Sequence, residues 1–172
     1  MAETLLVDEP QGASPHAVDD TGRVTLRKQE AKNIREALGI PDKQAFNLIV
    51  AQDVDDCLLV FTTDQWSTFA DSIMALSSLD PDARDLRRIH LGAAEVVTVD
   101  RQDRMKLSSG LLAWANLPPG ESHATLVNVG DCYELWEVSA YREYIRGRRE
   151  QLKAFKRRLW GTTSGREEEA DQ

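Results

Sequence analysis

Apolar positions in this chain follow two rhythms, a strand period and a helical one, and the order of those rhythms repeats once. Val18 to Leu26 (VDDTGRVTL) sets two short β-prone runs around Asp-Thr-Gly, the pattern of a hairpin with a glycine turn. A helix is predicted next, with Ala31, Ile34, Ala37 and Leu38 on one face and Gly39 as its stop. Phe46 to Ala51 and Cys57 to Phe61 read as buried strands joined by a turn at Asp53 to Asp56. Asp64 is the expected cap of a helix carrying Trp66, Phe69, Ile73 and Leu76. Asp80-Pro81 opens a further helix, with proline at its first position, which Gly92 ends.

The pattern then restarts. Val99 to Leu107 (VDRQDRMKL) aligns with Val18 to Leu26 at an offset of 81, pairing Asp19 with Asp100, Arg23 with Arg104 and Leu26 with Leu107. A short helix at Leu111 to Ala115, Leu117-Pro118 against Ile40-Pro41, and Ala124 to Val129 against Phe46 to Ala51 follow in the same order. Cys132 matches Cys57 at an offset of 75, Trp136 matches Phe61, and Tyr141 matches Trp66. The segment from Val18 to about Tyr144 therefore contains one unit twice. A last helix, from about Ser139 to Leu159, places Tyr141, Ile145, Leu152, Phe155 and Leu159 in one stripe.

Charge changes this picture in one respect. A net charge of −8 argues against a nucleic-acid binder, but residues 1–14 and 161–172 each carry −3. The chain between them, at −2, is nearly neutral and can present a basic face. Both acidic ends, polar and poor in large apolar residues, are expected to be disordered. Residues 142–158 hold eight Arg or Lys against two Glu, the strongest basic concentration in the chain. This helix either adds phosphate contacts or is a solvated helix whose stripe packs on the domain or a neighbouring subunit.

Composition limits the chemistry. The two cysteines occupy equivalent positions, which favours packing over a disulfide, and the scattered His16, His90 and His123 give no zinc pattern. His90, on a predicted helix, is expected to be structural. No apolar run approaches the length of a membrane span, and the start of the chain has no signal pattern, so the expected location is the cytoplasm. No nucleophile-base spacing and no phosphate-cradling glycine loop is found; an enzyme, a cofactor and a small-molecule substrate are not expected.

The repeated polar element is Asp-x-x-x-Arg on a hairpin. In Asp19-Asp20-Thr21-Gly22-Arg23, Gly22 supplies the positive φ of a tight turn, Asp19 can accept from turn N–H groups, and Arg23 leaves on a short stalk. A guanidinium held this way suits phosphate, or guanine in a major groove; alternatively Asp and Arg merely pair across the hairpin.

At these residues the chain resembles the MraZ family, bacterial transcription regulators built from two AbrB-type swapped-hairpin units. Asp19-x-x-Gly22-Arg23-Val24-Thr25-Leu26, Arg35-Glu36-Ala37-Leu38-Gly39, Cys57 to Phe61 with Gln65-Trp66, Asp80 to Arg84, Arg88 to Glu95 and Glu134-Leu135-Trp136 carry the likeness in family order. It covers about residues 17–144. The resemblance implies an α+β fold of duplicated AbrB-like swapped-hairpin β-barrel units with connecting helices and a C-terminal helix. The corresponding segments are an acidic tail at 1–14, a first unit at 15–64, connecting helices at 65–95, a second unit at 96–144, a basic helix at 145–160 and an acidic tail at 161–172.

The resemblance further implies a sequence-specific, nucleoid-associated regulator of the division and cell-wall gene cluster promoter, acting as a ring-like homo-oligomer. Exposed hairpin edges favour such association. Its DNA-contacting residues carry over as Asp19, Thr21, Gly22 and Arg23 in the first copy and Asp100 and Arg104 in the second. Two departures stand out. Thr21 replaces the lysine usual before the glycine, and Asp103 replaces the second glycine. An aspartate tolerates the left-handed conformation there, but its carboxylate is expected to face the phosphates and oppose binding. The competing function is a protein-binding, antitoxin-like swapped-hairpin oligomer with weakened DNA binding.

Overall fold

The computed structural model describes residues 15–161. The acidic ends expected to be disordered lie outside the described residues, except Gly161. The chain divides between Val138 and Ser139 into two compact units.

The first unit is one eight-stranded antiparallel sheet with four helices. Copy one supplies β1 (His16–Ala17), β2 (Arg23–Thr25), α1 (Lys28–Leu38), β3 (Phe46–Gln52) and β4 (Leu58–Phe61). Helices α2 (Thr63–Met74) and α3 (Pro81–His90) connect it to copy two, which supplies β5 (Glu95–Val99), β6 (Arg104–Lys106), α4 (Ser109–Trp114), β7 (His123–Asn128) and β8 (Tyr133–Glu137). The strand order is β1-β7-β8-β4-β3-β5-β6-β2. Four of its neighbouring pairs, β1–β7, β8–β4, β3–β5 and β6–β2, join a strand of one copy to a strand of the other. Neither copy can complete its ladder alone, so the duplication folds as one interlaced body.

The sheet nearly closes into a barrel. A bridge from Val18 to Val24 brings its two outer strands together, and His16 Nδ1 lies 2.7 Å from the Thr25 carbonyl oxygen. Inside, Val24, Ile34, Leu48 and Val50 of copy one pack with Met105, Leu107, Leu111 and Leu135 of copy two, all essentially buried. Such a core stabilises both copies at once: each buried Leu or Val contributes about 1.5–3 kcal/mol, and residues of both copies make up the one cluster.

The equivalent helix ends are built alike. Gly39 (φ 66°) and Asn116 (φ 52°) end α1 and α4 in the left-handed conformation. The N–H groups of Ile40 and Leu117 then bond back to Arg35 and Leu112 carbonyls at 3.0 and 2.9 Å.

Helix α2 differs from expectation at both ends. Its cap is Thr62, not Asp64, because Thr62 and Gln65 form a reciprocal capping box: the Thr62 hydroxyl accepts from Gln65 N–H and Gln65 Oε1 accepts from Thr62 N–H at 2.9 Å. It ends at Met74, leaving Leu76 in the following turn. There Arg87 of α3 donates to the Met74 and Leu76 carbonyls at 3.0 and 2.5 Å, which ties α3 to the end of α2. Trp66 of α2 meets Phe61 edge-on and Phe69 lies tilted over it, with ring centroids 5.5 and 4.9 Å away. His90 meets Phe69 edge-on and its Nδ1 lies 2.9 Å from the Gln52 carbonyl oxygen, the structural placement expected of it.

The second unit is the body of helix α5 (Val138–Gly161). None of its residues is buried, and Ile145, Leu152, Phe155 and Trp160 are exposed along it. Lys156 and Arg158 lie over the Trp160 and Phe155 rings at 5.6 and 5.5 Å.

Candidate nucleic-acid interface

Two Asp-x-x-x-Arg turns lead into β2 and β6. In the first, Asp19 Oδ1 accepts from Thr21 N–H at 2.8 Å, the Thr21 hydroxyl at 2.7 Å and Arg23 N–H at 2.9 Å. Gly22 adopts φ 77° and donates to the Asp19 carbonyl at 2.9 Å. The second turn repeats this backbone: Asp100 Oδ1 accepts from Gln102 and Arg104 N–H at 2.9 and 3.0 Å, and Asp103 stands at φ 62° in the glycine's place. Hydrogen bonds hold both carboxylates in the charged form. The Thr21 hydroxyl, then Arg23 N–H, keep Asp19 below the usual 3.8; burial pushes Asp100 up, but the Arg104 side chain and backbone outweigh it and keep it below that value too.

The turns are stitched to one another. Leu26 N–H donates to the Asp103 carbonyl at 2.8 Å, and reciprocally Leu107 N–H donates to the Gly22 carbonyl at 3.0 Å. Between them Arg23 pairs with Lys106, Val24 with Met105 and Thr25 with Arg104. Val24 and Met105 point into the core, fully buried. Alternation therefore puts Arg23, Thr25, Arg104 and Lys106 on the outer face. The six residues expected from the motif come together around this ladder. Lys106 joins them, and it was missed because it lies outside the Asp-x-x-x-Arg spacing; its alternation with buried Met105 is the signal that places it.

The two arginines are held differently. Arg104 donates Nε to Asp100 Oδ2 at 2.9 Å, with Nη2 at 2.8 Å from the same oxygen. In copy two, then, Asp and Arg do pair across the hairpin. Arg23 makes no ion pair among the described residues; its Nη1 donates to the Thr21 hydroxyl, which itself donates to Asp19. Thr21 thus relays the aspartate to the arginine, without direct contact between carboxylate and guanidinium.

Asp103 does not face outward as expected. Its Oδ1 lies 2.6 Å from Nη2 of Arg35 on α1, and neither atom has a hydrogen bond to any other described group. Arg35, 4% exposed, also donates Nε to the Gln44 carbonyl at 3.1 Å and lies over the Phe46 ring at 5.0 Å. Helix α1 carries a buried cation at this point, and that cation draws the carboxylate inward. In the equivalent place of the other turn, a Cβ on Gly22 would lie 2.7 Å from Leu112 Cδ1 of α4. Each turn is thus seated on the other copy's helix, through Asp103 with Arg35 in one case and Gly22 with Leu112 in the other.

Among the described residues no group of three or more His, Cys, Asp or Glu is placed to hold a metal ion, and no helix is long and apolar enough to cross a membrane. Cys57 and Cys132 are free thiols in buried, equivalent positions; burial pushes both up, Cys132 to about 11.

Duplicated units whose strands interlace in one barrel-like sheet, with paired hairpin turns on its surface, define an AbrB-like swapped-hairpin protein. The comparisons narrow this. The chain is 34% identical over 125 residues to the transcriptional regulator MraZ of Thermomicrobium roseum, covering 73% of this chain and 79% of that protein. It is 30% identical over 137 residues to MraZ of Treponema denticola (78% and 86%), and 32% over 132 residues to that of Hydrogenovibrio crunogenus (76% and 81%). No family model matches. The chain belongs to the MraZ family of transcriptional regulators.

Proposed function

We propose that this regulator binds promoter DNA through the outer face of the β2–β6 ladder, with Arg23 as its principal reading residue. The observation that carries this is the state of Arg23. It stands on a turn fixed by three hydrogen bonds to Asp19, and it makes no direct ion pair among the described residues, Asp19 acting on it only from a distance and through Thr21. A guanidinium so placed can bond both guanine acceptors in a major groove, or clamp a phosphate. Arg104 must first give up Asp100, so it contributes less. Lys106 adds a phosphate contact beside Arg23.

The family resemblance extends the reading to the division and cell-wall gene cluster promoter, a ring-like homo-oligomer displaying several such faces, and a cytoplasmic, nucleoid-associated location. The protein-binding alternative drew on the loss of glycine at 103 and of lysine at 21, and on the acidic tail. With Asp103 turned toward Arg35, the first of these motives weakens.

A gel-shift assay tests the proposal, using a duplex from immediately upstream of the protein's own coding sequence and a scrambled duplex of equal length. The parent should retain the upstream duplex preferentially at low salt, and Arg23→Ala should lose it. Equal retention by parent and variant would exclude the turn as the reading element.

A further inference from the structure

The pseudo-symmetry that relates the two turns also relates the loops beside them. The loop after α1, residues 41–45, borders the second turn and forms with Arg101 and Gln102 an open groove of about 740 Å³. The loop after α4 borders the first turn in the same way, with Gly120 N–H donating to the Val18 carbonyl at 3.0 Å. Helix ends Gly39 and Asn116 align the two loops, and Pro41 then falls on Pro118 and Lys43 on Gly120. The backbone agrees: Lys43 has φ 60° and Gly120 φ 78°.

At these equivalent places the residues are opposite in character. Beside the first turn Asp20 sits directly on Gly120, where a Cβ would lie 2.3 Å from its carboxylate. Beside the second turn the same two positions are Arg101 and Lys43. Both are exposed, and neither makes an ion pair or hydrogen bond through its side chain among the described residues. Asp42 is the groove's one lining carboxylate.

A left-handed backbone costs a lysine what it does not cost a glycine, and such outliers cluster at functional sites. The groove is also held in shape. Arg35 donates to the Gln44 carbonyl and pairs with Asp103, which fastens the loop to the turn from beneath.

We propose that the groove between residues 41–45 and the second turn is a DNA-backbone site in which Lys43 and Arg101 each take one phosphate. This rests on the DNA-binding reading above. It makes the halves of the interface unlike: Arg23 reads on the first turn, while the second turn, with Arg104 occupied by Asp100, anchors the backbone through its flank. Phosphate contacts fix register without carrying sequence information.

The test is a binding titration against sodium chloride concentration, with the upstream and scrambled duplexes and the full chain. Lys43→Gly copies the other loop's residue and suits φ 60°, so its melting temperature should stay within about two degrees of the parent's. Arg101→Gln removes the second cation. Each variant should reduce the slope of log K against log salt by about 0.9, the double variant by about 1.8, and the preference for the upstream duplex should persist. Parental slopes in both single variants, with Arg23→Ala still impaired, would overturn the phosphate site and leave the reading on Arg23 intact. A clear fall in the melting temperature of Lys43→Gly would overturn it as well, by making Lys43 structural. If Arg23→Ala also binds like the parent, both this site and the wider DNA-binding proposal fail.

Discussion

Arg35 and Asp103 lie 68 positions apart in sequence, and their side chains meet at 2.6 Å, joining the helix of one copy to the turn of the other. Where the sister turn uses a glycine against a leucine, this one uses a carboxylate against a buried guanidinium. The two solutions exclude mixing, because a lone Arg35 would be a buried charge without its partner.

Asp103→Gly should therefore destabilise the fold by about 3 kcal/mol, the lower end for breaking a buried ion pair, since Asp103 keeps some exposure. Arg35→Leu with Asp103→Gly reproduces the other copy's pair and should recover most of that loss. Urea unfolding of the two single variants and the double gives the coupling. Additive losses would show that the pair does not act as a unit.

Acid should weaken the contacts of Glu30 and the two turns. Burial pushes Glu30 up, but the His16 ring 3.3 Å from its carboxylate and the hydrogen bond from Arg27 N–H outweigh it and hold it below its usual 4.5; Asp19 and Asp100 stand below 3.8. A carboxylate depressed on folding adds stability that is present in full above its unfolded value and lost as pH falls through its folded one. Stability should thus be insensitive to these groups near neutrality and decline below about pH 4.5. Glu30→Gln should flatten the upper part of that decline, followed by thermal melts across pH 2 to 7.

The cysteines should be inert in the folded chain. A thiol raised to about 11 is almost wholly protonated at pH 8, and Cys57 is raised further and fully buried. Ellman's reagent should label neither at an appreciable rate until denaturant is added, when both should react. Fast labelling of the native chain would contradict the packing role.

Much of this architecture can be read from the sequence, because local signals strong enough to stand alone mark it: the turn around Gly22, the stop at Gly39, proline opening the connecting helix α3. The cap of α2 was also legible, in Thr62-x-x-Gln65, but Asp64 masked it. What the sequence hides is set by the interlacing. That β3 pairs with β5, or that Asp103 finds Arg35, depends on contacts between copies that no local window contains. The six residues the motif named lie around one ladder of the proposed interface. Lys106 and the Lys43 flank needed the register and the equivalence of the two loops.

The central claim is that the two turns share a scaffold but not a workload. Equilibrium titration of the upstream duplex at fixed salt, with Arg23→Ala and Arg104→Ala side by side, tests it most directly. The account predicts a roughly 100-fold loss for Arg23→Ala, the upper range for one bidentate contact, and roughly tenfold or less for Arg104→Ala. Equal losses, or a larger one at Arg104, would contradict it.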